Sequence, residues 1–156
     1  MFEFRGKLSK ECEDFLFNKQ RKMEVISLGC VSAVFGIAII VFAILFHPAI
    51  LFALLECILM VFAPFLPMNR KGFLERVPNR IIFDLKEKTI SYKSNKNEGF
   101  YGISDIEKIF DYGNFYHIKF KQHPDSYCVL QKDLIVQGSI AKFEERFKNK
   151  IRLANK

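Results

Sequence analysis

VISLGCVSAVFGIAIIVFAILF, residues 25–46, runs through 22 positions without a charged side chain. His47 and Pro48 follow, and then AILFALLECILMVFAPFL, residues 49–66, with Glu56 as its single charge. A helix rises about 1.5 Å per residue, so the two runs would reach roughly 33 and 27 Å, close to the ~30 Å hydrocarbon thickness of a bilayer. The first run has no polar face, only Ser27, Ser32 and small residues. Burying both runs in a water-facing domain would ask about 115 residues to cover about 40. A cleaved leader is also a poor fit. The 24 residues ahead hold six Lys or Arg and five Asp or Glu, too long and too acidic for a signal n-region. The pattern predicts a two-helix transmembrane hairpin over 25–66, with helices at 25–46 and 49–66.

Outward from the hairpin, Lys19, Arg21 and Lys22 precede the first run, and Arg70, Lys71, Arg76 and Arg80 follow the second. The connection has neither Lys nor Arg. By the positive-inside rule both termini are expected to be cytoplasmic, in a multi-pass protein of the cell inner (plasma) membrane. Gly29, Ala33 and Gly36 fall near one side of the first helix and would let a second helix approach closely. Glu56 would be the one ionisable group at membrane depth. It is expected to be a neutral carboxyl bonding a backbone carbonyl near Gly36, or a contact across a homo-oligomer.

The N-terminal piece, residues 1–24, opens with alternating Phe2 and Phe4, suited to a short strand. Ser9 is placed to cap a helix over Lys10–Met23, with an extension into the first run left open. Beyond residue 66 the spacing turns to that of strands. Ile81, Phe83 and Leu85 alternate; Lys86-Glu87-Lys88 makes a turn; Ile90 and Tyr92 follow. Phe100–Ile103, Ile106–Tyr112 and Tyr116–Phe120 are further strands, with a tight turn at Gly113-Asn114. Tyr127–Leu130 returns, and a helix from near Ser139 places Ile140, Phe143, Phe147 and Ile151 on one stripe. The organisation expected is a lead-in (1–24), the hairpin (25–66) and a β-rich domain (67–156) closed by an amphipathic helix.

The net charge is +7, and it is concentrated behind the hairpin: residues 67–156 hold 18 basic and 11 acidic side chains. A basic domain beside a membrane is attracted to anionic headgroups. Arg70, Lys71, Arg76, Arg80, Lys86 and Lys88 are the candidates for headgroup contact or for setting topology. Cys12, Cys30, Cys57 and Cys128 form no CxxC pair, and disulfides are not expected in a reducing cytosol. His47, His117 and His123 lack ligand spacing, and His117 is expected on a solvated strand face. No GxGxxG or GxxxxGK[ST] is present, and Asp84, Asp105 and Asp111 sit where turns are expected. No catalytic residue, no metal site and no cofactor is assigned. Lys119 and Lys121 would alternate with buried aromatics, which argues against a nucleic-acid stacking surface.

Several stretches together resemble the YcxB-like family of small bacterial membrane proteins. These are Phe2-Glu3-Phe4, Leu8-Ser9-Lys10-Glu11, the paired apolar runs, Arg80-Ile81-Ile82-Phe83-Asp84 with Thr89-Ile90, Tyr101–Ile109, Phe115-Tyr116-His117-Ile118 and the Phe143–Phe147 helix. The resemblance implies an α+β membrane protein: a transmembrane hairpin bearing a pleckstrin-homology-like small β-barrel or sandwich capped by one helix. The function expected is a non-catalytic module held at the inner leaflet, binding a protein, peptide or lipid partner. The alternative is a transport-associated assembly of hairpins around Glu56.

Overall fold

The computed structural model describes residues 1–45, 69–122 and 128–154. It divides into two compact units, Met1–Leu16 with Arg70–Lys156, and Phe17–Asn69. In chain order the elements are β1 (Phe2–Arg5), α1 (Lys10–Leu45), α2 (Arg70–Leu74), β2 (Arg80–Asp84), β3 (Thr89–Lys93), β4 (Glu98–Gly102), β5 (Ile106–Asp111), β6 (Phe115–Phe120), β7 (Val129–Gln131), β8 (Ile135–Gln137), α3 (Ile140–Phe147) and β9 (Ile151–Leu153).

In the first unit, period-two alternation sorts the side chains of the opening strands. Phe2 and Phe4, Ile81 and Phe83, and Ile90 point to the core. Glu3, Arg5, Arg80, Ile82 and Ser91 take the other face, as strand geometry requires. The lead-in strand is not peripheral: β1 lies between β2 and β8 in a five-stranded sheet ordered β4-β3-β2-β1-β8. The second sheet is ordered β7-β6-β5-β9, with β9 running parallel to β5. The chain crosses between sheets through single 3-10 turns at Ile103–Asp105 and Lys132–Leu134. The small β-barrel or sandwich expected from the resemblance is corrected on its barrel alternative, because the two sheets are not closed on each other and share one core.

Helix α3 supplies the centre of that core. Ser139 caps it by accepting from the Lys142 amide at 3.4 Å. The Phe143 ring meets Phe2, Phe4, Phe83, Tyr116 and Phe147 at centroid distances of 4.8–5.6 Å. The stripe expected to reach Ile151 stops at Phe147, because Ile151 leaves the helix to pair with Ile109 in β9. Tyr92 stacks on Tyr101, and Tyr101 on Phe120, carrying packing from one sheet to the other. Opposite Tyr92 stands Gly99, where a Cβ would lie 2.7 Å from the phenol oxygen. The Gly113 turn has φ +89, and Asp111 accepts from its amide at 2.8 Å.

The start of α1 packs on the second sheet. Cys12 and Leu16 are buried, and Phe15 contacts the rings of Tyr112, Phe115 and His117. Gln131 accepts from the Ser9 amide at 2.7 Å, tying the helix entry to β7. His117 is therefore buried beneath Phe15 and stacked beside Phe110, not solvated as the alternation implied.

In the second unit, α1 continues unbroken from the lead-in into the apolar run. Ile26, Val31, Val34, Phe35 and Ile37 are exposed on it. The charges of α1, the last of them Arg21, Lys22 and Glu24, all precede residue 25. Among the described residues no helix is long and apolar enough to cross a membrane. This overturns the expected α+β membrane fold with its transmembrane hairpin, and the multi-pass inner-membrane placement with it. The run 49–66, the His47-Pro48 turn and Glu56 lie outside the described residues.

Phe143→Ala removes the ring on which five other aromatics converge and is expected to cost about 3–5 kcal/mol. A urea-unfolding midpoint within error of wild type would contradict this account of the core.

Candidate functional site

Where β1 ends, the chain turns through Gly6 and is stitched to its neighbours by backbone hydrogen bonds. The Gly6 amide donates to Asn79 O at 3.0 Å, and the Asn79 amide donates to Lys93 O at 2.9 Å. These bonds bring the end of β1, the start of β2 and the end of β3 together at one end of the strands. The short helix α2 and the entry of α1 rise beside them. Together they enclose an open groove of about 1130 Å³.

Six of its lining side chains are cationic: Arg5, Lys7, Arg70, Lys71, Arg80 and Lys93. Glu13 and Glu75 are the two acids, and Leu8, Leu74, Val77 and Pro78 give it an apolar portion. The register explains the density of charge. Arg5 stands directly opposite Arg80, and Arg80 directly opposite Lys93, forming a row of three cations across three strands. Like charges so placed destabilise a sheet.

The row is only partly neutralised. Glu3 holds Arg80 at 2.8 Å and Glu98 approaches Lys93 at 3.6 Å. Across the groove, Arg70 reaches Asp14 at 2.5 Å and Glu13 at 3.9 Å. Lys96 bonds Glu75 at 2.6 Å and holds that carboxyl below its ordinary pKa, with Lys71 adding to the effect. Among the described residues, Arg5, Lys7 and Lys71 have no carboxylate within ion-pair distance.

Of the basic residues singled out in the sequence, Arg70, Lys71 and Arg80 line this groove. Arg76 is exposed just beyond α2 and does not line it. Lys86 and Lys88 sit on the β2–β3 turn, at the far end of β2 from Arg80, where Asp84 caps the Lys86 and Glu87 amides. Arg5, Lys7 and Lys93 were not singled out. Their signal was the pairing of β1 with β2, which depends on contacts between residues far apart in the chain. On α1, a Cβ at Gly29 or Gly36 would meet no described atom within 4 Å, and Ala33 is exposed.

A second polar cluster lies beside α3. Tyr116 Oη donates to Glu144 at 2.5 Å, and Lys132 bridges Asp111 at 3.0 Å and Glu144 at 3.7 Å while lying over the Tyr116 ring. Burial and the Glu144 carboxylate raise the Tyr116 pKa, so the phenol stays neutral. Every member is engaged with another, as in a structural network. Asp84, Asp105 and Asp111 cap turn amides, as their positions implied. Burial raises the thiol of Cys12, and pushes that of Cys128 up to about 12. Among the described residues no group of three or more His, Cys, Asp and Glu is placed to hold a metal ion.

Comparison with known proteins adds no relative: no family model, curated protein or solved structure matches the chain.

Two outcomes follow from the buried groups. Because the folded-state pKa of Tyr116 is raised, its contribution is fully present below the ordinary tyrosine value near 10 and is lost as pH rises above it. Urea stability is expected to fall above that pH, and less so in Tyr116→Phe; identical slopes would contradict the assignment. Iodoacetamide at mildly alkaline pH should label exposed Cys30 in the folded chain and reach Cys128 only after denaturation, as read by peptide mass mapping. Early labelling of Cys128 would show that its site opens.

Proposed function

We propose that the chain is a non-catalytic interaction module whose basic groove receives an anionic group of a partner. The observation that carries this reading is the Arg5–Arg80–Lys93 row. A fold gains nothing from three cations in register, and relieving them takes counter-charge from outside, since Glu3 and Glu98 reach only two of the three. The opposite wall points the same way, with Lys71 and Lys7 free of ion pairs among the described residues. Charge-assisted hydrogen bonds from guanidinium and ammonium groups to phosphate or carboxylate are the stronger kind. A concave site with an excess of one sign of charge, here six cations against two acids, also raises the local concentration of counter-ions.

The reading makes stability and binding move in opposite directions. Arg5→Gln removes one like charge from the row and is expected to stabilise the fold by about 0.2–1 kcal/mol. The same change should weaken binding of inorganic pyrophosphate, titrated calorimetrically into the full chain at low ionic strength. Lys86→Gln with Lys88→Gln, at the far end of β2, should leave binding unchanged. Equal loss from both sets would mean that only net charge matters, and unchanged binding in Arg5→Gln would dismiss the groove.

A further inference from the structure

The chemistry of the groove narrows the class of partner. Resting on the reading above, we infer that its occupant is an acidic segment of polypeptide, with carboxylates spaced one strand or one helical turn apart and apolar side chains between them. Three observations support this occupant over a compact anion.

The first is size. At about 1130 Å³ the open groove exceeds the roughly 300–1,000 Å³ of sites that enclose small ligands. A phosphate bridging two members of the row would leave most of it empty. The second is composition. Half-buried Leu8 and Leu74 line the groove with the cations, so a purely ionic ligand would leave apolar surface uncovered. An amphipathic peptide covers both.

The third is a recognition event that the chain already performs on itself. Arg70, on one wall, is held by Asp14 at 2.5 Å and approached by Glu13 at 3.9 Å, both from the early part of α1. An acidic stretch of polypeptide thus already occupies one cation of the site. The remaining cations repeat that opportunity. Neighbouring strands lie about 4.8 Å apart, so Arg5 and Lys93 stand on the order of 10 Å from each other across Arg80. Carboxylates at alternate positions of an extended peptide recur about every 6.6 Å, and one helical turn apart about every 5.4 Å. Either spacing lets successive acids address successive members of the row.

The test uses the full chain and four probes: a short peptide alternating glutamate and leucine, the same peptide with glutamine for glutamate, pyrophosphate, and phosphatidylglycerol vesicles. The acidic peptide is expected to displace pyrophosphate and to bind about tenfold tighter, through the added charge-assisted contacts. Binding should be lost in Arg5→Glu and retained in Arg5→Lys, with circular dichroism confirming that both fold. Glutamine peptide binding as well as the glutamate one would overturn the inference, because apolar contact alone would then suffice. Pyrophosphate binding without peptide binding overturns it and leaves the anion groove standing. Vesicle binding that is lost in Arg5→Glu, with the peptide inert, assigns the site to lipid instead. Failure of every probe removes the groove reading together with this one.

Discussion

The insertion of β1 between β2 and β8 is the constraint on which the rest of the first unit depends. Four residues at the very start of the chain complete a sheet whose other strands begin at Arg80. Phe2 and Phe4 reach Phe143, so the same strand that joins the sheet also seats α3. Its pairing with β2 is in continuous register over four residues, Phe2↔Phe83 to Arg5↔Arg80. That register leaves no freedom: with apolar residues at 2 and 4 directed inward, Glu3 and Arg5 must face outward beside Arg80. The ion pair of Glu3 with Arg80 and the unrelieved approach of Arg5 are two results of one alignment.

This alignment accounts for why the groove sits where it does. Strand β1 must exit at Gly6 and turn toward α1, whose first turns pack Cys12, Phe15 and Leu16 onto the second sheet. The chain re-enters through α2, which Arg70 links to Asp14. The cavity is the space left where these segments diverge from the sheet. Its charge is not a by-product of net composition, because Lys86, Lys88, Lys108 and Lys121 are as basic and lie elsewhere.

Much of the first unit was legible from alternation alone. Ile81 and Phe83, the Gly113-Asn114 turn, the Ser9 cap and the helix that starts near Ser139 and carries Phe143 and Phe147 all stand where local spacing places them. What local spacing could not supply was pairing between distant segments. The place of β1 in the sheet, the extra strand β9 and the burial of His117 under Phe15 each require partners many residues away. His117 was misread because one face of β6 was taken for a solvent face, whereas α1 covers it. Three of the six basic residues proposed from sequence line the groove because they open α2 and β2; the other three share their charge but not their setting. The apolar run at 25–46 was read as a membrane span from length and lack of charge. The described helix joins that run to a charged lead-in without a break.

The contrast between the two ends of β2 shows why geometry outweighs charge count here. Lys86 and Lys88 project from a convex turn, where water surrounds each ammonium and attraction to an anion is screened within about 10 Å at 0.1 M salt. Arg5, Arg80 and Lys93 stand in a concave setting, with Lys71 facing them from α2. Several cations there direct their field onto one volume. An anion at the turn meets one flexible lysine and must order it; an anion in the groove would meet side chains whose backbone positions strand register fixes, Arg80 already held by Glu3. The same register that makes the row unfavourable on its own also sets the cations side by side, so a bound counter-charge would recover in one step the repulsion that folding leaves in place.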